Sequence, residues 1–116
     1  MKIGIVGGRD FNNYNLLKKI INEFIATENS VSAIVSGGAK GADTLAEEFA
    51  KEIDVEMIVF RPNFQKDGRL AALARNTKII EKSDVVFAFW DGKSRGTMDS
   101  VNKAKNLKKQ LFIINY

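Results

Sequence analysis

Short apolar runs alternate with longer amphipathic stretches along the whole chain. Five continuous runs rich in Val, Ile and Phe predict parallel strands that are covered on both faces, and they lie at residues 3–6, 31–35, 55–60, 84–90 and 110–115. Between them, apolar residues recur at helical spacing, which predicts helices near residues 14–28, 41–53, 69–82 and 96–108.

The predicted elements follow one another in the order β-α-β-α-β-α-β-α-β. Because crossovers between parallel strands are right-handed, this order predicts an α/β fold with a doubly wound five-stranded parallel sheet and helices on both faces, a three-layer α/β/α sandwich. The 116 residues are the length of one ordinary domain, so we expect a single domain over residues 1–116.

Composition narrows the chemistry that the chain can perform. Hydrophobic residues make up 45% and charged residues 28%, close to the globular average, and no apolar run approaches the roughly 18 residues of a membrane span. We therefore expect a cytoplasmic protein without a membrane partner. The chain has no Cys and no His, which excludes disulfides and thiol or imidazole catalysis and makes a zinc site improbable. We expect neither a metal ion nor a cofactor.

Glycine and arginine are concentrated after the predicted strands. Eight of nine glycines and four of five arginines fall in the connections "GGRD", "SGGAKGAD", "RPNFQKDGR" and "DGKSRGT". In open parallel sheets, ligands bind outside the carboxyl ends of the strands. With a net charge of +4, this pattern predicts an anion site at that edge.

The connection "SGGAKGAD", residues 36–43, leads from a strand into a helix. Glycine allows close approach of a ligand to the backbone, and a helix N-terminus presents free N–H groups and partial positive charge. The predicted ligand-binding residues are Ser36, Gly37, Gly38, Gly41 and Asp43. The spacing matches neither the Walker motif nor GxGxxG. The alternative is a tight turn in which Asp43 stabilises the first helical turn.

The connection "DGKSRGT" repeats this arrangement before the fourth helix. Hydroxyls, a glycine N–H and a guanidinium predict a second wall of the same pocket, formed by Ser94, Arg95, Gly96 and Thr97 and joined by Gly7, Gly8 and Arg9 of the first connection. The alternative is an N-capped helix with a polar turn, since Ser is a favoured cap.

Three further residues are candidates for the ligand site. Arg75 and Asn76 lie in an alanine-rich helix, where Arg75 points either to solvent or toward the ligand edge; Arg suits bidentate binding of phosphate or carboxylate. Trp90, at the end of the fourth strand, either stacks on a base or sugar or closes the core.

The chain resembles the SLOG superfamily, and within it the YspA-type, YpsA-related group. The resemblance rests on "VGGRDF", "VSGGAKGADTLA", "ARN" and "AFWDGKSRGT", which occur in this order and cover nearly the whole chain. It implies a Rossmann-like fold and a pocket for a nucleotide or nucleotide-derived ligand.

Two other branches of the superfamily imply alternatives. The LOG-type phosphoribohydrolases cut an N-glycosidic bond in a nucleoside monophosphate; their arginine matches Arg75, but their catalytic glutamate aligns with Ser100. A serine does not replace a carboxylate in this chemistry, so Asp91, Asp99 or Asp10 would have to supply one. The DNA-processing protein A branch binds single-stranded DNA.

The leading hypothesis is a protein that binds a nucleotide or nucleotide-derived phosphorylated ligand, as a sensor or sequestering protein. The alternatives are a nucleotide N-glycosidase, with Arg75, Asp91 and Asp99 as candidate catalytic residues, and single-stranded DNA binding. SLOG relatives commonly dimerise, which predicts a homo-oligomer, and Tyr14, Phe24 and Phe49 are candidates for exposed contact residues unless they belong to the core.

Overall fold

The computed structural model of the protein describes residues 1–28 and 30–116. In this part of the chain the elements are β1 (Lys2–Gly7), α1 (Tyr14–Glu28), β2 (Ala33–Ser36), α2 (Ala42–Glu52), β3 (Glu56–Val59), α3 (Phe64–Asp67), α4 (Ala71–Lys82), β4 (Val85–Trp90), α5 (Arg95–Asn106) and β5 (Gln110–Asn115). None of the described helices is long and apolar enough to cross a membrane.

The five strands form one parallel sheet in the order β3-β2-β1-β4-β5. This confirms the predicted fold class. The chain moves outward from β1 through β2 to β3 and then crosses to β4 and β5 on the other side of β1. Because the direction of winding reverses between β1 and β4, a crevice is left outside the carboxyl ends of these two strands.

Two hydrophobic cores lie on opposite faces of the sheet, as three layers require. The side chains that fill the core under α1 and α2 include Ile3, Ile5, Leu17, Phe49 and Phe87. Those under α4 and α5 include Val6, Val35, Ile79, Ile80 and Val101. The central strands β1, β2 and β4 are buried on both sides, which explains why their sequences are continuously apolar.

The third connection differs from the prediction, because it contains the short helix α3 and a 3₁₀ turn at Gly68–Leu70. The Asn63 side chain caps α3 by accepting a hydrogen bond from the Lys66 amide at 3.1 Å. Gly68, with φ of 57°, interrupts the helical path. The predicted helix from residue 69 therefore begins at Ala71.

The aromatic residues considered for an exposed contact surface are largely internal. Phe49 is fully buried, so its interpretation as an exposed residue is wrong. Phe24 packs edge-on against Phe87 with ring centroids 5.4 Å apart. Tyr14 donates a hydrogen bond from its hydroxyl to Glu52 at 3.1 Å. These side chains stabilise the α1 and α2 layer.

The start of α2 is packed directly against the end of β1. The Gly8 carbonyl accepts hydrogen bonds from the amides of Ala42 at 3.2 Å and Phe11 at 3.3 Å. Gly41 has φ of 75°, and a Cβ at this position would lie 2.3 Å from the Gly8 carbonyl oxygen. Glycine is therefore needed at position 41 for both its conformation and its lack of a side chain.

We expect Gly41→Ala to lower the free energy of unfolding by about 3 kcal/mol, because it combines a left-handed backbone with a clash against backbone atoms. The matched control is Gly68→Ala. Gly68 also has positive φ, but a Cβ added there would meet no atom within 4 Å, so we expect a loss of only about 1 kcal/mol. Denaturant unfolding followed by circular dichroism measures both values. Equal losses would contradict the close-packing argument.

Candidate functional site

A cavity of about 480 Å³ lies in the crevice outside the ends of β1 and β4. Its volume falls in the range of roughly 300–1,000 Å³ found for small-molecule sites. Ten of the predicted site residues line it, namely Gly7, Gly8, Arg9, Asp43, Arg75, Asn76, Asp91, Ser94, Gly96 and Thr97. Asp10 and Ser100, which were considered in the comparison with the phosphoribohydrolases, line it as well. The structure thus brings residues of three connections and of α4 together; their role in binding stays a prediction.

The carboxylate of Asp43, in the first turn of α2, accepts hydrogen bonds from the loop between β2 and α2. Asp43 is buried, and its Oδ2 accepts a hydrogen bond from the Ala39 amide at 3.0 Å. The Ser36 hydroxyl lies 2.7 Å from Asp43 Oδ1 and 2.9 Å from the Ile5 carbonyl oxygen. Asp43 therefore occupies hydrogen-bond donors of the loop that was predicted to bind an anion, in agreement with the alternative of a turn stabilised by Asp43.

The glycines of this loop act through their carbonyls in the structure. Gly37 accepts a hydrogen bond from Arg75 Nη1 at 2.9 Å, and Gly38 accepts one from Arg61 Nη1 at 3.3 Å. A Cβ on Gly37 would lie 2.6 Å from Arg75 Nη1. Gly37 and Gly38 leave space for the two guanidinium groups and hold them through their carbonyls. From the sequence, these glycines were expected to donate their amides to a ligand.

Arg75 is the half-buried cation of the cavity. Its Nε donates to Asn76 Oδ1 at 2.9 Å, so both the Nε and Nη1 groups are fixed. Burial lowers the pKa of Arg75, the nearby Asp43 raises it, and Arg9 lowers it further. An arginine remains protonated at neutral pH all the same. Arg9 and Arg75 therefore repel one another across the cavity, and an anion placed between them would relieve this repulsion.

The N-terminus of α5 forms the neighbouring wall. Asn76 Nδ2 donates to the Gly96 carbonyl at 3.4 Å and thereby joins α4 to α5. The Ser94 side chain caps α5 by accepting from the Thr97 amide at 3.4 Å. The capped-helix alternative is thus correct for Ser94, and the first turn of α5 still faces the cavity through Gly96 and Thr97. Helix N-termini favour negative charge.

Two aspartates lie on the cavity rim near the end of β5. Asp91 Oδ1 accepts hydrogen bonds from the Lys93 and Ser94 amides, both at 2.8 Å. These bonds, led by that from Ser94, hold the pKa of Asp91 below its ordinary value. Asp10 accepts a hydrogen bond from the Tyr116 hydroxyl, and burial together with this bond raises the pKa of Tyr116. The rim thus presents carboxylates that accept hydrogen bonds.

Seven of the predicted site residues do not line the cavity. They are Ser36, Gly37, Gly38, Gly41, Trp90, Arg95 and Asp99. The first four form or support the β2–α2 loop described above. Trp90 uses its Nε1 to donate to the Ser94 carbonyl at 3.0 Å, and Arg95 is exposed.

Asp99 is engaged in an ion pair outside the cavity. Its Oδ2 lies 2.8 Å from Lys103 Nζ, one helical turn along α5, and it accepts a hydrogen bond from Asn76 Nδ2 at 3.2 Å. The position of Asp99 therefore disfavours the catalytic role considered for it. Of the carboxylates considered for catalysis, Asp91 and Asp10 line the cavity.

Sequence reasoning identified Arg75 and Asn76 of α4 as site candidates but missed the other residues of this helix that line the cavity. Ala72, Leu73 and Ile79 line the cavity together with Arg75 and Asn76. Residues 72, 75, 76 and 79 share one face of a helix, so the spacing of the small and apolar residues around Arg75 carried the signal. Ala39, Val6, Asp10 and Ser100 complete the lining. Among the described residues, no group of three or more Asp, Glu, Cys or His side chains is arranged to hold a metal ion.

Two solved structures have a fold similar to that of this chain. The structure is similar to DNA processing protein A from Streptococcus pneumoniae, with a TM-score of 0.80 and 21% identity over 99% of this chain and 50% of that chain. It is also similar to DNA processing protein A from Helicobacter pylori, a structure described for its single-stranded DNA binding mode, with a TM-score of 0.74 and 26% identity over 97% of this chain and 64% of that chain. The chain thus spans between half and two thirds of the length of these proteins.

No curated protein matches the sequence. The sequence model of the YspA, cpYpsA-related SLOG family matches residues 1–66, which is more than half of the 116 residues. The match includes the first two connections of the cavity and ends within α3. The chain belongs to the YspA, cpYpsA-related SLOG family.

Proposed function

We propose that the chain binds a nucleotide or a nucleotide-derived phosphorylated ligand in the cavity, as a sensor or sequestering protein. The observation that carries this proposal is the half-buried guanidinium of Arg75, which is fixed by the Gly37 carbonyl and Asn76 beside the N-terminus of α5. A preorganised cation next to a helix N-terminus favours a phosphate group. The cytoplasmic location of the protein stays a prediction.

The charges in the cavity suit a ligand that carries both an anionic group and hydrogen-bond donors. Arg9 and Arg75 supply positive charge to the lining, and Asp10, Asp43 and Asp91 supply carboxylates. Carboxylates accept hydrogen bonds from sugar hydroxyls, and they repel additional phosphates. A nucleoside carrying a single phosphate at the arginine side meets both conditions.

We propose binding without turnover. Ser100 lines the cavity at the position that aligns with the glutamate of the phosphoribohydrolases, and Asp99 is paired with Lys103. Asp10 and Asp91 remain as carboxylates in the lining. Asp10 accepts a hydrogen bond from the Tyr116 hydroxyl, and the pKa of Asp91 lies below its ordinary value because two amides donate to it. A carboxylate stabilised in this way is a weak base.

Single-stranded DNA binding is the second candidate function, and two observations favour it. One is the similarity to the Helicobacter pylori protein, whose structure is described for this activity. The other is Phe64 in α3, which is 62% exposed and lies in sequence between the cations Arg61, Lys66 and Arg69. An exposed aromatic ring among cations is a stacking platform for an unpaired base.

We expect Arg75→Ala to weaken nucleotide binding by about 10- to 100-fold, which corresponds to about 1.4–2.7 kcal/mol. The ligand is first identified by calorimetry of the unaltered chain against mono-, di- and cyclic nucleotides and ADP-ribose derivatives. Its dissociation constant is then measured for the variants. Arg69→Ala is the matched control, because Arg69 is exposed and does not line the cavity. Circular dichroism checks that both variants fold. Binding no tighter than millimolar across the panel, or equal losses in the two variants, would refute the proposal.

The same ligands incubated overnight with the chain should yield no free base by chromatography. Base released by the unaltered chain but not by Asp91→Asn would instead establish an N-glycosidase that uses Asp91.

If the chain binds single-stranded DNA through α3, Phe64→Ala should weaken binding of a fluorescent oligonucleotide by roughly 5- to 150-fold, since stacking contributes about 1–3 kcal/mol per base. Affinity for the oligonucleotide should also fall steeply with added salt. Mononucleotide binding in the cavity should be unchanged in this variant and serves as the control. An oligonucleotide affinity insensitive to both Phe64→Ala and salt would exclude this second function.

A further inference from the structure

A chain of hydrogen bonds connects Arg75 in the cavity to a carboxylate on α5 outside it. Arg75 Nε donates to Asn76 Oδ1 at 2.9 Å, and Asn76 Nδ2 donates to Asp99 Oδ2 at 3.2 Å. Asp99 Oδ2 also accepts a hydrogen bond from Lys103 Nζ at 2.8 Å. Arg75 and Asn76 line the cavity, and Asp99 lies outside its lining. The carboxylate of Asp99 therefore reaches the cavity cation through one side-chain amide.

The side-chain amide of Asn76 has one orientation that satisfies all its neighbours. Its Nδ2 group faces two acceptors, the Asp99 carboxylate and the Gly96 carbonyl, while its Oδ1 faces the Nε–H of Arg75. Rotating the amide by half a turn would place its oxygen against both acceptors and its NH₂ group against the arginine N–H, so all three bonds would be lost. Asn76 is buried, and unpaired polar groups are costly there.

Of the two acceptors that hold the Asn76 Nδ2 group, Asp99 is the stronger. The Gly96 carbonyl oxygen lies 3.4 Å from Nδ2, whereas Asp99 Oδ2 lies at 3.2 Å and belongs to a carboxylate. Hydrogen bonds to a charged group are roughly twice as strong as those between neutral groups. Without Asp99, the amide would keep a single long contact on its Nδ2 side, and its rotation would deprive Arg75 Nε of its acceptor.

Lys103 holds the Asp99 carboxylate between the two helices. Its Nζ donates to Asp99 on α5 and also to the Leu73 carbonyl on α4, at 2.7 Å. Lys103 thus stabilises the packing of α4 against α5, whereas Asp99 makes the bond to the Asn76 amide. Because different side chains perform the two tasks, substitutions can separate them.

We propose that Asp99 is a positioning residue for Arg75. By accepting from Asn76 Nδ2, Asp99 turns the amide oxygen toward Arg75 Nε, and the Gly37 carbonyl holds the same guanidinium at Nη1. This orientation is a property of the chain without ligand. Its consequence for affinity rests on the proposed function, since a cation that is already oriented loses less freedom when it binds a phosphate.

Nitrogen-15 NMR of the full chain without ligand tests the proposal. In Asp99→Ala, the Arg75 Nε–H signal should shift and its hydrogen exchange with water should accelerate about two- to tenfold, as expected for the loss of one hydrogen bond. Lys103→Ala is the matched control, because it removes the same ion pair but leaves Asp99 to accept from Asn76. In this control, exchange of the Arg75 Nε–H should change by less than about twofold.

Asp99→Asn guards against a general loss of structure. This variant removes the charge but keeps a side-chain oxygen at the same position, so it should retain most of the protection of the Arg75 Nε–H. Circular dichroism and thermal unfolding check that all three variants fold. Unchanged Arg75 Nε–H exchange in Asp99→Ala would overturn the proposal, and so would equal acceleration in Lys103→Ala, which would assign Asp99 to the α5 ion pair alone.

Calorimetric titration with adenosine monophosphate gives a separate readout. Where the unaltered chain binds this nucleotide, its dissociation constant should rise about two- to tenfold in Asp99→Ala and stay within about twofold in Lys103→Ala. No binding of any nucleotide by the unaltered chain would refute the proposed function, while the exchange of the Arg75 Nε–H still decides whether Asp99 positions this guanidinium.

Discussion

The backbone contact between the end of β1 and the start of α2 is the constraint on which the cavity depends. The Gly8 carbonyl accepts hydrogen bonds from the amides of Phe11 and Ala42. Gly41 allows the end of β1 and the start of α2 to approach without a side chain between them. The contact fixes the first connection against the second at the point where the winding of the sheet reverses. Strand β1 is also hydrogen-bonded to β4. The connection that follows β4, which forms another side of the crevice, is therefore held by the same strand.

The best-fixed positive charge in the cavity is the guanidinium of Arg75, which is held by two hydrogen bonds. The β2–α2 loop uses Asp43 to close on itself and directs the Gly37 carbonyl to Arg75, while Asn76 ties Arg75 to α5. Asp43 compensates part of the charge that burial would otherwise destabilise. The positions of Asp43 and of the glycine carbonyls beside Arg75 are thus explained by the bonds and charge that hold its guanidinium in place.

The fold and the edge of the sheet at which the cavity lies were predictable from the sequence, but the detailed contacts were not. Continuous apolar runs specify strands buried on both faces, and the clustering of glycine and arginine after those strands specifies the edge. In contrast, the helix capped by Asn63 lies in a short polar segment without periodicity. The bonds of Asp43 to Ser36 and Ala39 depend on the path of the loop. The direction of the Arg75 guanidinium depends on its bonds to Asn76 and to the Gly37 carbonyl, which helical spacing alone does not predict.

The most direct test of the central claim is a nitrogen-15 NMR titration of the chain with adenosine monophosphate and, separately, with ADP-ribose. We predict that the Arg75 Nε–H signal and the amide signals of Gly96 and Thr97 shift together and saturate on a single binding curve, while the side-chain signal of Arg69 stays fixed. If the Arg75, Gly96 and Thr97 signals stay fixed at millimolar ligand, or if only residues around Phe64 respond, the cavity is not the phosphate site.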